Sequence, residues 1–171
     1  FSLPVPHGQR GERFGMVMMT RVVDGAEVFV HASDIQLLDD EAVSCIIAWQ
    51  PTVVLASGPP LYLPSLSKRQ RKTALRNAVR LAHKVDTLIL DHHLLRSEGG
   101  RRWLDKIAAT TGNRVICAAD FMGQRRTMLE AWRQRLYVEM PVPKGWHAAY
   151  ARGEVDTGAY RKYHTRKILS I

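Results

Sequence analysis

Apolar positions recur along this chain in two rhythms. "RFGMVMMTRVV" (13–23) and "AEVFVHA" (26–32) are strand-like runs flanking Asp24-Gly25, a hairpin signal. "DDEAVSCIIAWQ" (39–50) reads as a helix with acidic residues in its first turn. "PTVVLASGPP" (51–60) is a β-branched strand that breaks into a Gly-Pro-Pro loop. "SKRQRKTALRNAVRLAHK" (67–84) is the clearest helix, with Ser67 as its N-cap and an apolar stripe of Leu75, Ala78, Val79 and Ala82.

The alternation continues downstream. "DTLILD" (86–91) is a strand, a helix near 99–111 ends at Gly112-Asn113, and "RVICAAD" (114–120) is a further strand. "RRTMLEAWRQRL" (125–136) reads as a helix with Met128, Leu129, Trp132 and Leu136 on one side. From about residue 50 onward strand and helix take turns, which predicts an α/β layering of helices on a sheet. No internal repeat is visible. After "MPVPKGW" the character changes, so the domain is expected over 1–139 and a partly helical basic tail over 140–171. That tail holds Tyr150, Tyr160 and Tyr163 with Arg161, Lys162, Arg166 and Lys167.

Composition narrows the classes. A chain of 171 residues with 46% hydrophobic content is globular and long enough for a sizeable core. No apolar run approaches the roughly 20 residues of a membrane helix, so no membrane partner is expected. Two cysteines, Cys45 and Cys117, form no framework and point to a reducing compartment, the cytoplasm. Lys and Arg number 25 against 16 acidic residues, a formal +9 that favours polyanionic partners.

Candidate chemistry gathers where strands end. "PVPHG" sets His7 in a Pro/Gly-bounded turn, "FVHASD" leads a strand out into His31 and Asp34, and "LILDHH" ends in Asp91, His92 and His93. In α/β proteins, strand exits are where sites gather, and imidazole with carboxylate is a ligand set for zinc, iron or manganese. The plainer alternative is that strand ends meet water and carry polar residues for that reason alone.

These segments, with "DDEAVSCIIAWQPTVVLASGPPLYL" and "AADFMGQRRTMLEAWR", resemble the C-terminal half of a metallo-β-lactamase-fold protein. The branch resembled is a prokaryotic one of predicted metal-dependent hydrolases and ribonucleases. The resemblance covers most of residues 3–133 and implies half of an αββα sandwich, with a dinuclear metal site along one sheet edge. It implies that His7 completes the ligand set of one metal, that Asp34 bridges the two, and that His92 or His93 binds the second, His92 being favoured. Asp34, His92 and His93 would be the catalytic set, with His31 and Asp91 as orienters behind the ligands. Two divalent ions, zinc or else manganese or iron, would acidify a water to a pKa near ~7 for attack on an ester.

One departure limits the inference. The HxHxDH motif of that fold, which supplies further ligands to both metals, is absent from these 171 residues. His92-His93 does not replace it, and two protein ligands per metal fall short of three. The chain is therefore expected to be half a site, inactive alone. Its partner would be an upstream half, as missing residues or as a separate chain, and an oligomer is also open.

A cationic stripe, Lys72, Arg76, Arg80 and Lys84, lies at i+4 steps on the 67–84 helix. It is either a solvated face or a phosphate-tracking surface. Three functions remain in play: a metal-dependent hydrolase acting on RNA or DNA, a non-catalytic nucleic-acid-binding scaffold, and a hydrolase of small esters or lactones.

Overall fold

A computed structural model of the chain describes residues 1–8 and 15–158. It divides into two compact units, Phe1–Ala131 and Trp132–Ile171. The chain is α/β, with a mixed sheet.

The first unit opens with a small antiparallel pair, β1 (Val5–Pro6) and β2 (Met16–Val17). The main sheet follows: β3 (Thr20–Asp24), β4 (Glu27–Ala32), β5 (Val53–Ala56), β6 (Thr87–Leu90) and β7 (Arg114–Ile116). Its spatial order is the sequence order, β3-β4-β5-β6-β7. The β3–β4 pair is the expected hairpin, turning at Asp24-Gly25, and the other three pairings are parallel.

Each parallel connection carries a helix: α1 (Asp40–Ala48), α2 (Lys68–Ala82) and α3 (Glu98–Thr111). Crossovers of one hand that step in one direction leave all their helices on the same face of the sheet. The contacts agree, since α2 packs against both α1 and α3. Between sheet and helices lie Val30, Val54, Ala56, Leu88, Leu90, Ala78, Leu81, Leu104 and Ile107, all essentially solvent-free.

Helix starts follow local chemistry. Asp39 accepts from Ala42 N, Ser97 accepts from Gly100 N, and Ser67 and Gln70 form a reciprocal capping box. Gly112 closes α3 at φ +67°.

Three expectations are corrected. The buried side of α2 is Ala74, Asn77, Ala78, Leu81 and Ala82, and Leu75 is 41% exposed. Asn77 wins an inward place because its side-chain amide donates to Leu37 O and to Asp40 Oδ1. The strand over 114–120 is only Arg114–Ile116, and Ala118–Phe121 forms a short helix, α4. Finally, residues 125–132 are not helical; α5 begins at Arg133 and runs to Glu139. Arg126 is the physical reason. Its guanidinium bridges Asp120 and Asp105, and those tertiary bonds hold the segment out of a helix.

The second unit contributes α5 and α6 (Trp146–Ala151), where Trp146 stacks on Tyr150 with centroids 5.1 Å apart. Tyr160, Arg161, Lys162, Tyr163, Arg166 and Lys167 lie outside the described residues. Among the described residues no helix is long and apolar enough to cross a membrane.

Candidate metal centre

Three chain segments meet at the carboxyl edge of the sheet. After β4, Ile35 N donates to Ala32 O, closing a turn that carries Asp34 at its tip. After β6, the chain turns through Asp91, His92 and His93 into a short 3-10 turn at Leu94–Arg96. His7 follows β1, and its backbone N–H donates to Gly15 O across the β1–β2 pair.

Ser57, at the end of β5, ties two of these loops together. Its buried hydroxyl donates to Ile35 O, and its carbonyl accepts from both His93 N and Leu94 N. Two glycines let the loops close. A Cβ on Gly100 would lie 1.7 Å from Leu94 O, and one on Gly58, at φ +70°, would lie 2.9 Å from Leu94 Cβ.

The result is a cluster around one oxygen. Asp34 Oδ1 stands 3.5 Å from His7 Nε2, 3.1 Å from His92 Nε2 and 3.5 Å from His93 Nε2. His7, Asp34 and His93 each offer a ligand atom within 4.8 Å of the others. Two donors held ~2.1 Å from one ion in tetrahedral geometry sit about 3.4 Å apart. The two 3.5 Å separations match that spacing. His92 touches the same carboxylate but is not in that mutually close triad.

Electrostatics separates the members. Burial acts to raise the Asp34 carboxyl, but the His92 hydrogen bond and the nearby imidazoles outweigh it and hold it below the usual range. His93 is pushed down to about 4, first by burial and then by His92, Arg96 and His7, with Asp34 opposing. At neutral pH it is therefore an uncharged imidazole. Both of its ring nitrogens are shut off from solvent and have no hydrogen-bond partner. A buried polar atom without a partner costs free energy, and a bound cation is one way to satisfy it. His7 is steadied through Nδ1, 3.2 Å from the Gln36 side-chain amide. The Gln36 side-chain N–H donates to Nδ1, so Nε2 is the ring nitrogen that faces Asp34 Oδ1.

Two residues expected behind the ligands lie elsewhere. His31 is exposed and stacks on Phe29 at 6.4 Å. Asp91 Oδ2 accepts from Ala118 N at 2.7 Å, which seats the start of α4. Conversely, Gln36, Ser57 and Gly100 are site residues that hydrophobic patterning does not reveal. The only signal was small or polar residues next to predicted strand or helix ends.

On α2 the cations are exposed as expected. Arg76 forks both oxygens of Asp40 at 2.7 Å, and Arg80 donates to Ser44 Oγ. A depression of about 520 Å³ is lined by Lys68, Arg69, Lys72, Thr73, Arg76 and Asp40.

Among known proteins, a UPF0282 protein of Methanosarcina mazei is 56% identical over 160 residues, 94% of this chain and 53% of the relative. The chain is similar to UPF0282 proteins. A UPF0282 protein of Pyrococcus horikoshii is 36% identical over 151 residues, 85% of this chain and 48% of the relative. One of Methanopyrus kandleri is 39% identical over 139 residues, 80% of this chain and 47% of the relative. The chain thus spans about half the length of the curated relatives it matches. No family model matches it. No solved structure matches it either.

Proposed function

We propose that this chain supplies half of a dinuclear metal-hydrolase site of the metallo-β-lactamase type. The observation that carries the reading is the convergence of three imidazoles on one carboxylate oxygen, with His93 neutral and both its ring nitrogens shut off from solvent without a hydrogen bond. The donor set is that of a borderline metal such as zinc, with manganese or iron as alternatives. His7, Asp34 and His93 would hold one ion, and Asp34 would share its carboxylate with a second ion next to His92. Bound there, two cations would acidify a water and stabilise the charge that develops on an ester oxygen.

The chain's own residues have distinct work. Gln36 fixes the His7 ring, Ser57 fixes the spacing of the Asp34 and His93 loops, and His92, the more exposed imidazole, orients Asp34 or moves a proton. The remaining ligands would come from a half bearing HxHxDH, in the part of the longer relatives that this chain does not span.

A phosphodiester substrate fits the surface. Helices of parallel crossovers run antiparallel to the strands, so the N-terminal end of α2 lies at the same sheet edge as the cluster. Lys68, Arg69 and Lys72 stand on that end beside the basic depression. That observation also favours a second reading, a nucleic-acid-binding scaffold without catalysis.

Metal analysis of the longer Methanosarcina mazei relative, followed by RNA, DNA and small-ester hydrolysis, separates the readings. Bound metal with RNA or DNA hydrolysis is expected. Nucleic-acid binding without metal would leave the scaffold.

A further inference from the structure

The turn that delivers His93 also delivers a cation. His93 opens the 3-10 turn Leu94–Arg96, and side chains three apart in such a turn lie over one another. Arg96 is therefore on the same side of the turn as His93, and its positive charge helps hold the His93 ring neutral. The turn is firmly seated. Leu94 is fully buried, Leu95 N donates to Asp91 O, and Gly58 and Gly100 press against Leu94.

The neighbouring strand exit aims that cation. Arg96 Nη1 donates to Tyr62 Oη at 3.1 Å, and the guanidinium lies 5.9 Å from the centre of the Tyr62 ring. Tyr62 is held in turn by Arg71 of α2, whose guanidinium donates to the carbonyls on either side of it, Leu61 O and Leu63 O, and to Leu66 O. Two loops from the adjacent strands β5 and β6 thus join at Tyr62 and Arg96. Arg76, Arg101 and Arg126 each face a carboxylate, whereas among the described residues Arg96 hydrogen-bonds only the neutral phenol. A cation set against a site for cations repels whatever metal enters there, and an anion lying between the two removes that repulsion. The guanidinium keeps further N–H donors in a fork that fits phosphate, and the phenol, which accepts from Arg96, keeps its own O–H to donate.

We infer that Arg96 and Tyr62 form an anion subsite for the phosphoryl oxygens of the substrate, which selects charged phosphodiesters over neutral esters. This subsite rests on the metal-hydrolase reading above and deepens it, by giving this chain the side chains that read the substrate's charge. Arg96 determines specificity, Tyr62 positions it, and neither is a metal ligand.

Linkage supplies the test, because an anion held by metal and Arg96 together must tighten the binding of the metal. Zinc binding to this chain is measured by calorimetry with and without dimethyl phosphate, and with trimethyl phosphate as a neutral probe of similar shape. In the native chain dimethyl phosphate should tighten zinc by at least about fivefold, a usual size for such coupling, and trimethyl phosphate should not. In Arg96→Gln the gain should fall below about twofold, while zinc alone binds at least as tightly as before because a repelling charge has gone. Arg96→Lys, which keeps the charge without the fork, should retain part of the gain, and Tyr62→Phe should reduce it with zinc binding unaltered. An equal gain in the native chain and Arg96→Gln would overturn the subsite. So would weaker zinc binding by Arg96→Gln without the anion, since Arg96 would then be a support of the cluster. Absence of zinc binding by both this chain and the full-length Methanosarcina mazei relative would instead end the hydrolase reading, and this subsite with it.

Discussion

His93 gives the sharpest quantitative test, because its cost to the fold depends on pH. Its folded pKa is about 4 against an ordinary 6.5, so between those values the unfolded chain binds the proton and the folded one resists it. Stability is therefore full above about pH 6.5, falls as pH drops toward 4, and is flat below. A tenfold difference in proton affinity is worth about 1.4 kcal/mol, so moving from pH 8 to pH 4.5 forfeits about 2.5 kcal/mol in the limit. The ring keeps some solvent access, its side chain being 12% exposed, and about 2 kcal/mol is the expected loss from this residue.

The perturbation is His93→Leu, measured in the metal-free chain with chelator present. At pH 8 the substitution should cost less than about 1 kcal/mol, because neither ring nitrogen makes a hydrogen bond that Leu would lose. At pH 4.5 the variant should be the more stable protein, by about 1–2 kcal/mol or roughly 2–8 °C in Tm. Urea unfolding at the two pH values reads both numbers. Asp34 does not confuse the window, because its depressed carboxyl loses stability only as pH falls below the ordinary carboxylate range. An identical loss between pH 8 and 4.5 in wild type and variant would refute the argument.

Three further outcomes follow from the geometry. Asp34→Ala should abolish zinc binding measured by calorimetry, whereas His92→Ala should weaken it about 10–100-fold, the range for residues that orient ligands; equal effects would place His92 in direct coordination. Gly100→Ala must move the Leu94 carbonyl that its Cβ would strike at 1.7 Å, and should destabilise the chain by more than about 3 kcal/mol in chemical denaturation, against about 1 kcal/mol or less for Gly99→Ala, whose nearest neighbour would be 3.7 Å away. Neutralising Arg76 and Arg80 together should lower the slope of log affinity against log salt for RNA by about one to two, read by fluorescence anisotropy, and an unchanged slope would make that face a solvated one held by Asp40 and Ser44.

Much of the fold was legible because local signals agreed with the tertiary outcome. The Asp-Gly hairpin, the Ser67 cap and the Gly112 stop all act within a few residues of where they stand, and the structure uses all three. The errors come from long-range bonds. Leu75 loses its inward place to Asn77, whose partners Leu37 and Asp40 lie 40 and 37 residues away. The segment 125–132 has helical periodicity, but Arg126 is captured by Asp105, 21 residues upstream. Periodicity counts apolar positions and is blind to a polar side chain whose partner is distant.

The site was legible as a list of residue types, and spacing could not sort it. His7, His31, Asp34, Asp91, His92 and His93 all stand at strand exits, and all admit the bland reading that polar residues there simply meet water. Burial and satisfaction divide them. His31 is exposed against Phe29, and Asp91 is bonded to Ala118 N, so solvation accounts for the first and a tertiary hydrogen bond for the second. His93 does not fit that account: a residue placed for water would keep its nitrogens in water, and these two are shut away without a hydrogen bond. Nor does Asp34, whose single oxygen draws three imidazoles from segments 27 and about 58 residues apart in sequence. Ser57 holds both loops to one strand end, its buried hydroxyl donating to Ile35 O and its carbonyl accepting from His93 N and Leu94 N. The strand exits thus hold two kinds of histidine, and satisfaction rather than residue type tells them apart.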